Sequence, residues 1–153
     1  MESVWDYPRP PVVKPCHRRA RVVLGGFALA DSESALRVLE TSQAPAIYFP
    51  PGDVAMEYLR RAGARSLCEW KGMATYFDAE AGERSSEAVG WTYQDPDPRY
   101  PELRDHVAFY PHRVDECWLG DERVEPNQGD FYGGWITSDI AGPFKGGPGS
   151  RGW

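Results

Sequence analysis

Arg21-Val22-Val23-Leu24-Gly25-Gly26-Phe27-Ala28-Leu29-Ala30 is the stretch on which the fold turns. Val22, Val23 and Leu24 are strand formers, and a Gly-Gly pair supplies the left-handed backbone that a tight hairpin turn requires. Phe27–Ala30 then returns as a second strand, and Asp31-Ser32 turns the chain again. The same grammar repeats along the sequence. Leu36–Thr41 and Ala46–Phe49 read as short strands separated at Ser42–Pro45. Met73–Phe77 and Ala88–Tyr93 read as a hairpin with its loop at Asp78–Arg84. Gln94–Pro101 is a loop, and Leu103–Tyr110 begins with a helical turn and ends as strand. Val114–Leu119 turns at Gly120-Asp121 into Arg123-Val124. Short strands between turn residues at this density predict a mainly β fold of antiparallel sheets.

One helix is predicted. Pro50-Pro51-Gly52-Asp53 stops a strand and offers Asp53 as N-cap, while Val54, Tyr58 and Leu59 supply an apolar face. Arg60 and Arg61 suit the negative end of its dipole and Gly63 its C-terminal cap.

The chain has 153 residues, 41% of them hydrophobic, which fits one domain with a core of its own. Three regions follow from composition: a Pro-rich irregular arm (1–19), a β core (20–128) and a Gly- and aromatic-rich arm (129–153). Glycine enrichment alone describes a flexible tail, but Phe131, Tyr132, Trp135, Ile136, Phe144 and Trp153 carry too much apolar surface for one. Both arms are therefore expected to be ordered, with Trp5, Tyr7 and Trp135 buried on the core or on a twin subunit.

The formal charge of −6, with 17 basic and 23 acidic residues and no long basic block, disfavours nucleic-acid binding. The cluster Arg18, Arg19 and Arg21 reads as a solvated strand start. Met1–Pro15 has no apolar core of a signal peptide, and no window is apolar enough to span a bilayer. Three scattered cysteines, Cys16, Cys68 and Cys117, fit a reducing cytoplasm better than a disulfide framework. Without a Cys-x-x-Cys pair, neither a structural zinc nor another cofactor is expected.

The densest chemical constellation is Cys68-Glu69-Trp70-Lys71-Gly72-Met73-Ala74-Thr75-Tyr76. Lys71-Gly72 at a strand entrance can set an ammonium beside exposed backbone N–H groups, a way to hold an anion. Lys71 is also the cation that would activate a thiolate at Cys68. Trp91 and Tyr93 share one face of a strand because side chains alternate, and Tyr76 on a neighbouring strand can join them. These rings serve either as core or as the wall of a ligand pocket. Glu40 stands where a carboxylate can face Lys71, as an ion pair or as part of a site. His106 reads as a half-buried strand histidine; no Gly-x-Ser-x-Gly elbow supports a serine hydrolase.

Several stretches resemble a known family. They are Val4-Trp5-Asp6-Tyr7-Pro8-Arg9-Pro10-Pro11, Leu39-Glu40-Thr41-Ser42, Tyr48-Phe49-Pro50-Pro51-Gly52-Asp53-Val54, Cys68-Glu69-Trp70-Lys71-Gly72, Trp91-Thr92-Tyr93, His106-Val107-Ala108-Phe109-Tyr110 and Phe131-Tyr132-Gly133-Gly134-Trp135-Ile136-Thr137. In order and spacing they are similar to the bacterial domain-of-unknown-function family 427, which carries a nucleotidyltransferase-like label. The resemblance implies a β-tent (Mss4-like) architecture, in which some relatives hold a small ligand in an aromatic cage. The zinc site of other relatives is not carried over, because its two Cys-x-x-Cys pairs are missing here. Nor do paired Asp metal ligands support nucleotidyl transfer.

Lys71, Tyr76, Trp91 and Tyr93 are thus expected to line one small-molecule pocket with Glu40 near its rim. Two alternatives stand beside this. One is an enzyme on a small substrate using Lys71, Cys68 and Glu40. The other is an interaction module whose arms bind another protein or a second copy.

Overall fold

The computed structural model describes residues 1–68 and 70–153, the side chains of 64–66 apart. A seven-stranded antiparallel sheet dominates. Across it run Val12–Pro15, Leu36–Leu39, Ala46–Phe49, Val107–Phe109, Arg84–Thr92, Gly72–Ala81 and Leu59–Cys68. A four-stranded antiparallel sheet packs against it, in the order Glu122–Arg123, Glu116–Leu119, Ala20–Leu24, Phe27–Ser32. The opening hairpin forms as read, with Gly25 (φ +60°) and Gly26 (φ +83°) in its turn.

Period-two alternation decides what each face of the large sheet touches. Ile47, Phe49, Val107 and Phe109 face the smaller sheet and meet Val22, Leu24 and Leu29 there, and Val89 joins them where a register shift between Phe77 and Ala79 breaks the alternation with Trp91. Their neighbours Tyr48, Ala108 and Trp91 point to the opposite face and join a second cluster with Tyr93, Tyr100 and Tyr110. The central strands are therefore buried on both sides, although their sequences do not read as continuous aliphatic runs.

The predicted helix is absent. Pro51–Asp53 and Met56–Tyr58 are single 3-10 turns, and the chain continues as the strand Leu59–Cys68. Tertiary bonding outcompetes local propensity here. Val54 bridges to Ala30, and the Ala55 N–H donates to the Leu29 carbonyl at 2.8 Å, so the small sheet captures the backbone a helix would use. The Asp53 carboxylate, free of any N-cap, accepts from Ser32 Oγ at 2.6 Å. Two smaller boundaries also move. Asp31 and Ser32 remain in strand, and the hairpin loop tightens to Gly82-Glu83.

Both arms are ordered, in ways composition did not distinguish. Val12–Pro15, inside the arm read as irregular, is an edge strand of the large sheet, a place where proline's missing donor costs little. Glu2–Ser3 pairs in parallel with Ile140–Ala141, tying the two arms to each other. Val4 and Tyr7 are buried with Leu39, and Phe144 packs against them. Trp135 is 1% exposed and donates its indole N–H to the Phe109 carbonyl at 3.1 Å. Trp5 departs from expectation at 41% exposed. It lies on the outside of the joined arms, edge-on to Trp153 at 5.2 Å, with Nε1 donating to the Pro143 carbonyl at 2.8 Å. Among the described residues no helix is long and apolar enough to cross a membrane.

Candidate functional site

Strand register builds the floor of a cavity on the outer face of the large sheet. Leu36 pairs with Tyr48, Tyr48 with Ala108, Ala108 with Trp91, and Trp91 with Tyr76. One cross-strand row thus carries an aromatic on each side of an alanine. Tyr48 and Trp91 lean together over the small Ala108 side chain: the indole N–H donates to the Tyr48 hydroxyl at 3.0 Å, and the rings stand perpendicular at 5.9 Å. Tyr93 stacks on Tyr48 at 6.3 Å, and Tyr110 lies on Trp91 at 4.6 Å.

The C-terminal arm supplies a wall. A Cβ added at Gly133 would stand 2.5 Å from the far edge of the Trp91 ring, and one at Gly134 would stand 2.6 Å from Ala44. Only residues without side chains let the backbone pass this close. The Trp135 N–H then fixes the arm on the Pro45 carbonyl at 2.8 Å. What remains between wall and floor is a cavity of about 300 Å³. Leu67 and Phe131, both more than 70% exposed, flank it.

Lys71 enters from the strand entrance. Its carbonyl accepts from the Asp97 N–H at 2.9 Å, and Gly72 follows at φ +115°, close beneath the Asp95–Asp97 backbone. The loop read as Gln94–Pro101 therefore pins the residue from behind. Burial opposes the charge of Lys71; the Glu40 carboxylate favours it, as do Tyr48 and Cys68 once ionised, and the net shift of its pKa is upward. Tyr48 and Tyr93 are pushed upward too, chiefly by burial, and stay neutral phenols that can donate or accept.

All five sequence-derived candidates, Lys71, Tyr76, Trp91, Tyr93 and Glu40, border this one cavity, as does Cys68. Glu40 pairs with Arg9 at 3.9 Å. Glu69 of the same constellation lies outside the described residues. Sequence reasoning missed Tyr48, Tyr110, Gly133 and Lys145. Tyr48 was within reach, because an aromatic with a hydroxyl between Ile47 and Phe49 must face away from them. Nothing local marks Lys145, which lies 97 residues from Tyr48 and 54 from Trp91 in sequence. Among the described residues no three His, Cys, Asp or Glu side chains are grouped to hold a metal ion.

Two main antiparallel sheets with an aromatic cavity on the outer face of the larger define the class: a mainly β protein with no long helix among the described residues. The chain belongs to the family described as domain of unknown function (DUF427), whose model matches residues 12–120. Both strands that carry Tyr48 and Trp91 fall within that span, and the arm that walls the cavity lies after it. No match to a curated protein was found.

Proposed function

We propose that this protein binds a small molecule in the cavity over Tyr48, Trp91 and Tyr93, and that the ligand has a planar or apolar body and an anionic end. One observation carries the reading: Lys71 stands at an aromatic cavity of about 300 Å³, the lower end of the usual range for ligand pockets. The rings offer contact area that is already ordered, so little entropy is lost on binding. The ammonium pairs with the anionic group, and the Tyr48 and Tyr93 hydroxyls direct it. In the β-tent picture implied by the family resemblance, this is the aromatic cage of a ligand-binding module.

The enzyme alternative has less support from the same residues. An amine nucleophile at Lys71 would need a lowered pKa, and that of Lys71 moves the other way, so this alternative rests on a Cys68 thiolate beside Lys71. The interaction-module alternative loses Tyr7 and Trp135 as anchors, which are buried within the chain itself, and keeps only Phe131 and Trp5 as exposed large aromatics of the arms.

Trp91 and Trp70 border the cavity and make intrinsic fluorescence the direct readout. Titration with 2-naphthoate and related aromatic monoacids should quench or shift the emission in a saturable way. Lys71→Ala should weaken that binding about tenfold or more, the usual worth of a hydrogen bond to a charged group. Lys71→Arg should restore part of it, because a planar fork replaces a compact ammonium. Equal affinity in the wild type and Lys71→Ala would overturn the reading.

A further inference from the structure

Among the described residues bordering the cavity, cations outnumber carboxylates, and the additional cation comes from the C-terminal arm. Among the described residues bordering it, the ionised side chains are Glu40, Lys71 and Lys145. Glu40 already has a counter-ion in Arg9. Neither lysine has a carboxylate within ion-pairing distance among the described residues. In a chain of net charge −6, two ammonium groups against one carboxylate, itself shared with Arg9, give the described lining of this aromatic cavity a positive balance.

Lys145 is also held in place rather than loosely displayed. Its N–H donates to the Ser42 carbonyl at 2.7 Å, and its carbonyl accepts from Asn127 Nδ2 at 2.7 Å. Its ammonium lies over the Tyr132 ring, 5.6 Å from the centroid. A cation–π contact orients the group and leaves its charge available to an anion. Lys71 arrives from the sheet and Lys145 from the arm, so the two cations approach the cavity from different elements.

We infer that Lys145 is a second anion-binding residue and that the ligand carries two acidic groups on one planar or apolar body, an aromatic dicarboxylate or a close analogue. This rests on the ligand-binding reading above and extends it. The family match ends at residue 120, so this selectivity is set by a segment outside the matched domain. A monoacid would leave Lys145 on Tyr132, and a diacid would recruit it.

The test compares matched probes, benzoate with terephthalate and 2-naphthoate with 2,6-naphthalenedicarboxylate, by tryptophan fluorescence and calorimetry on the full chain. The diacids should bind about tenfold or more tightly than the monoacids. Lys145→Ala should weaken the diacids about tenfold or more and the monoacids much less, so that the diacid advantage is lost, whereas Lys71→Ala should weaken both. Lys145→Gln, which keeps length and polarity, should behave as Lys145→Ala. Monoacid binding that depends on Lys71, with no diacid preference or with a preference indifferent to Lys145, would overturn this inference and leave the simpler reading standing. Failure of every probe to bind would overturn both.

Discussion

Gly133 lies against the edge of the Trp91 ring, so close that a Cβ at 133 would fall 2.5 Å from Cη2 of the indole. The contact joins the C-terminal arm to the strand Arg84–Thr92 and closes one side of the cavity. Gly133→Ala must therefore move either the ring or the arm. Overpacking of this kind costs about 1–3 kcal/mol. Chemical denaturation should show that loss, and the emission of Trp91 should shift as its Tyr110 and Tyr48 contacts adjust. Unchanged stability and emission would mean that the arm does not sit on the indole.

Order in the two arms is expected to be unequal in energy. Trp135 is fully buried, bonded to the Phe109 carbonyl and packed 6.0 Å from Phe49, so Trp135→Ala should cost about 3–5 kcal/mol. Trp5→Ala, at a half-exposed ring, should cost clearly less. Deleting residues 129–153 should lower the melting temperature at least as much as Trp135→Ala. Equal effects of the two tryptophan substitutions would contradict the placement of Trp135.

Tyr48→Phe removes the acceptor of the Trp91 indole N–H at a ring with no solvent exposure. The shape is kept and a buried donor is left without a partner, a loss of about 1–3 kcal/mol. Thermal unfolding measures it, and Tyr93→Phe, which leaves that bond intact, serves as the comparison.

The thiols should separate by reactivity. Burial pushes the Cys117 thiol well up, so it should resist a disulfide reagent at pH 8 in the folded protein. Cys68, half-buried at the cavity, should react first, and a bound aromatic acid should slow it. All three cysteines should react together in denaturant. Labelling of Cys117 before Cys68 would reverse this order.

Acid should loosen the N-terminal arm. The Arg37 guanidinium, donating at 2.8 Å, and the Tyr7 hydroxyl, donating at 2.6 Å, hold the Glu2 carboxyl below its usual range. A depressed carboxylate pKa stabilises the fold above the unfolded value of about 4.3. That contribution disappears as pH falls through the lower folded value. Because Glu2 is largely exposed, solvent keeps it small. Glu2→Gln should lower the melting temperature slightly at pH 7, with the difference from wild type shrinking below pH 4. A constant difference across that range would exclude the carboxylate as its source.

Residues 21–30 alone determined the hairpin, because valines beside a Gly-Gly pair satisfy strand and turn requirements without help from the rest of the chain. Alternation within Trp91-Thr92-Tyr93 likewise placed two rings on one face before any partner strand was known. Residues 53–63 show where such local reading ends. Asp53, Val54 and Tyr58 satisfy the local rules for a helix, yet Ala30 and Leu29 take their backbone and Ser32 takes the cap. A short segment gains too little from helical hydrogen bonds alone to resist a sheet edge that offers bonds and burial together. The cavity divides in the same way. Lys71, Tyr76, Trp91 and Tyr93 were legible as a group because they sit on one hairpin and its entrance. Tyr48, Gly133 and Lys145 join them only through strand order and the docking of the arm, contacts between residues far apart in the chain, which no local pattern of side chains encodes.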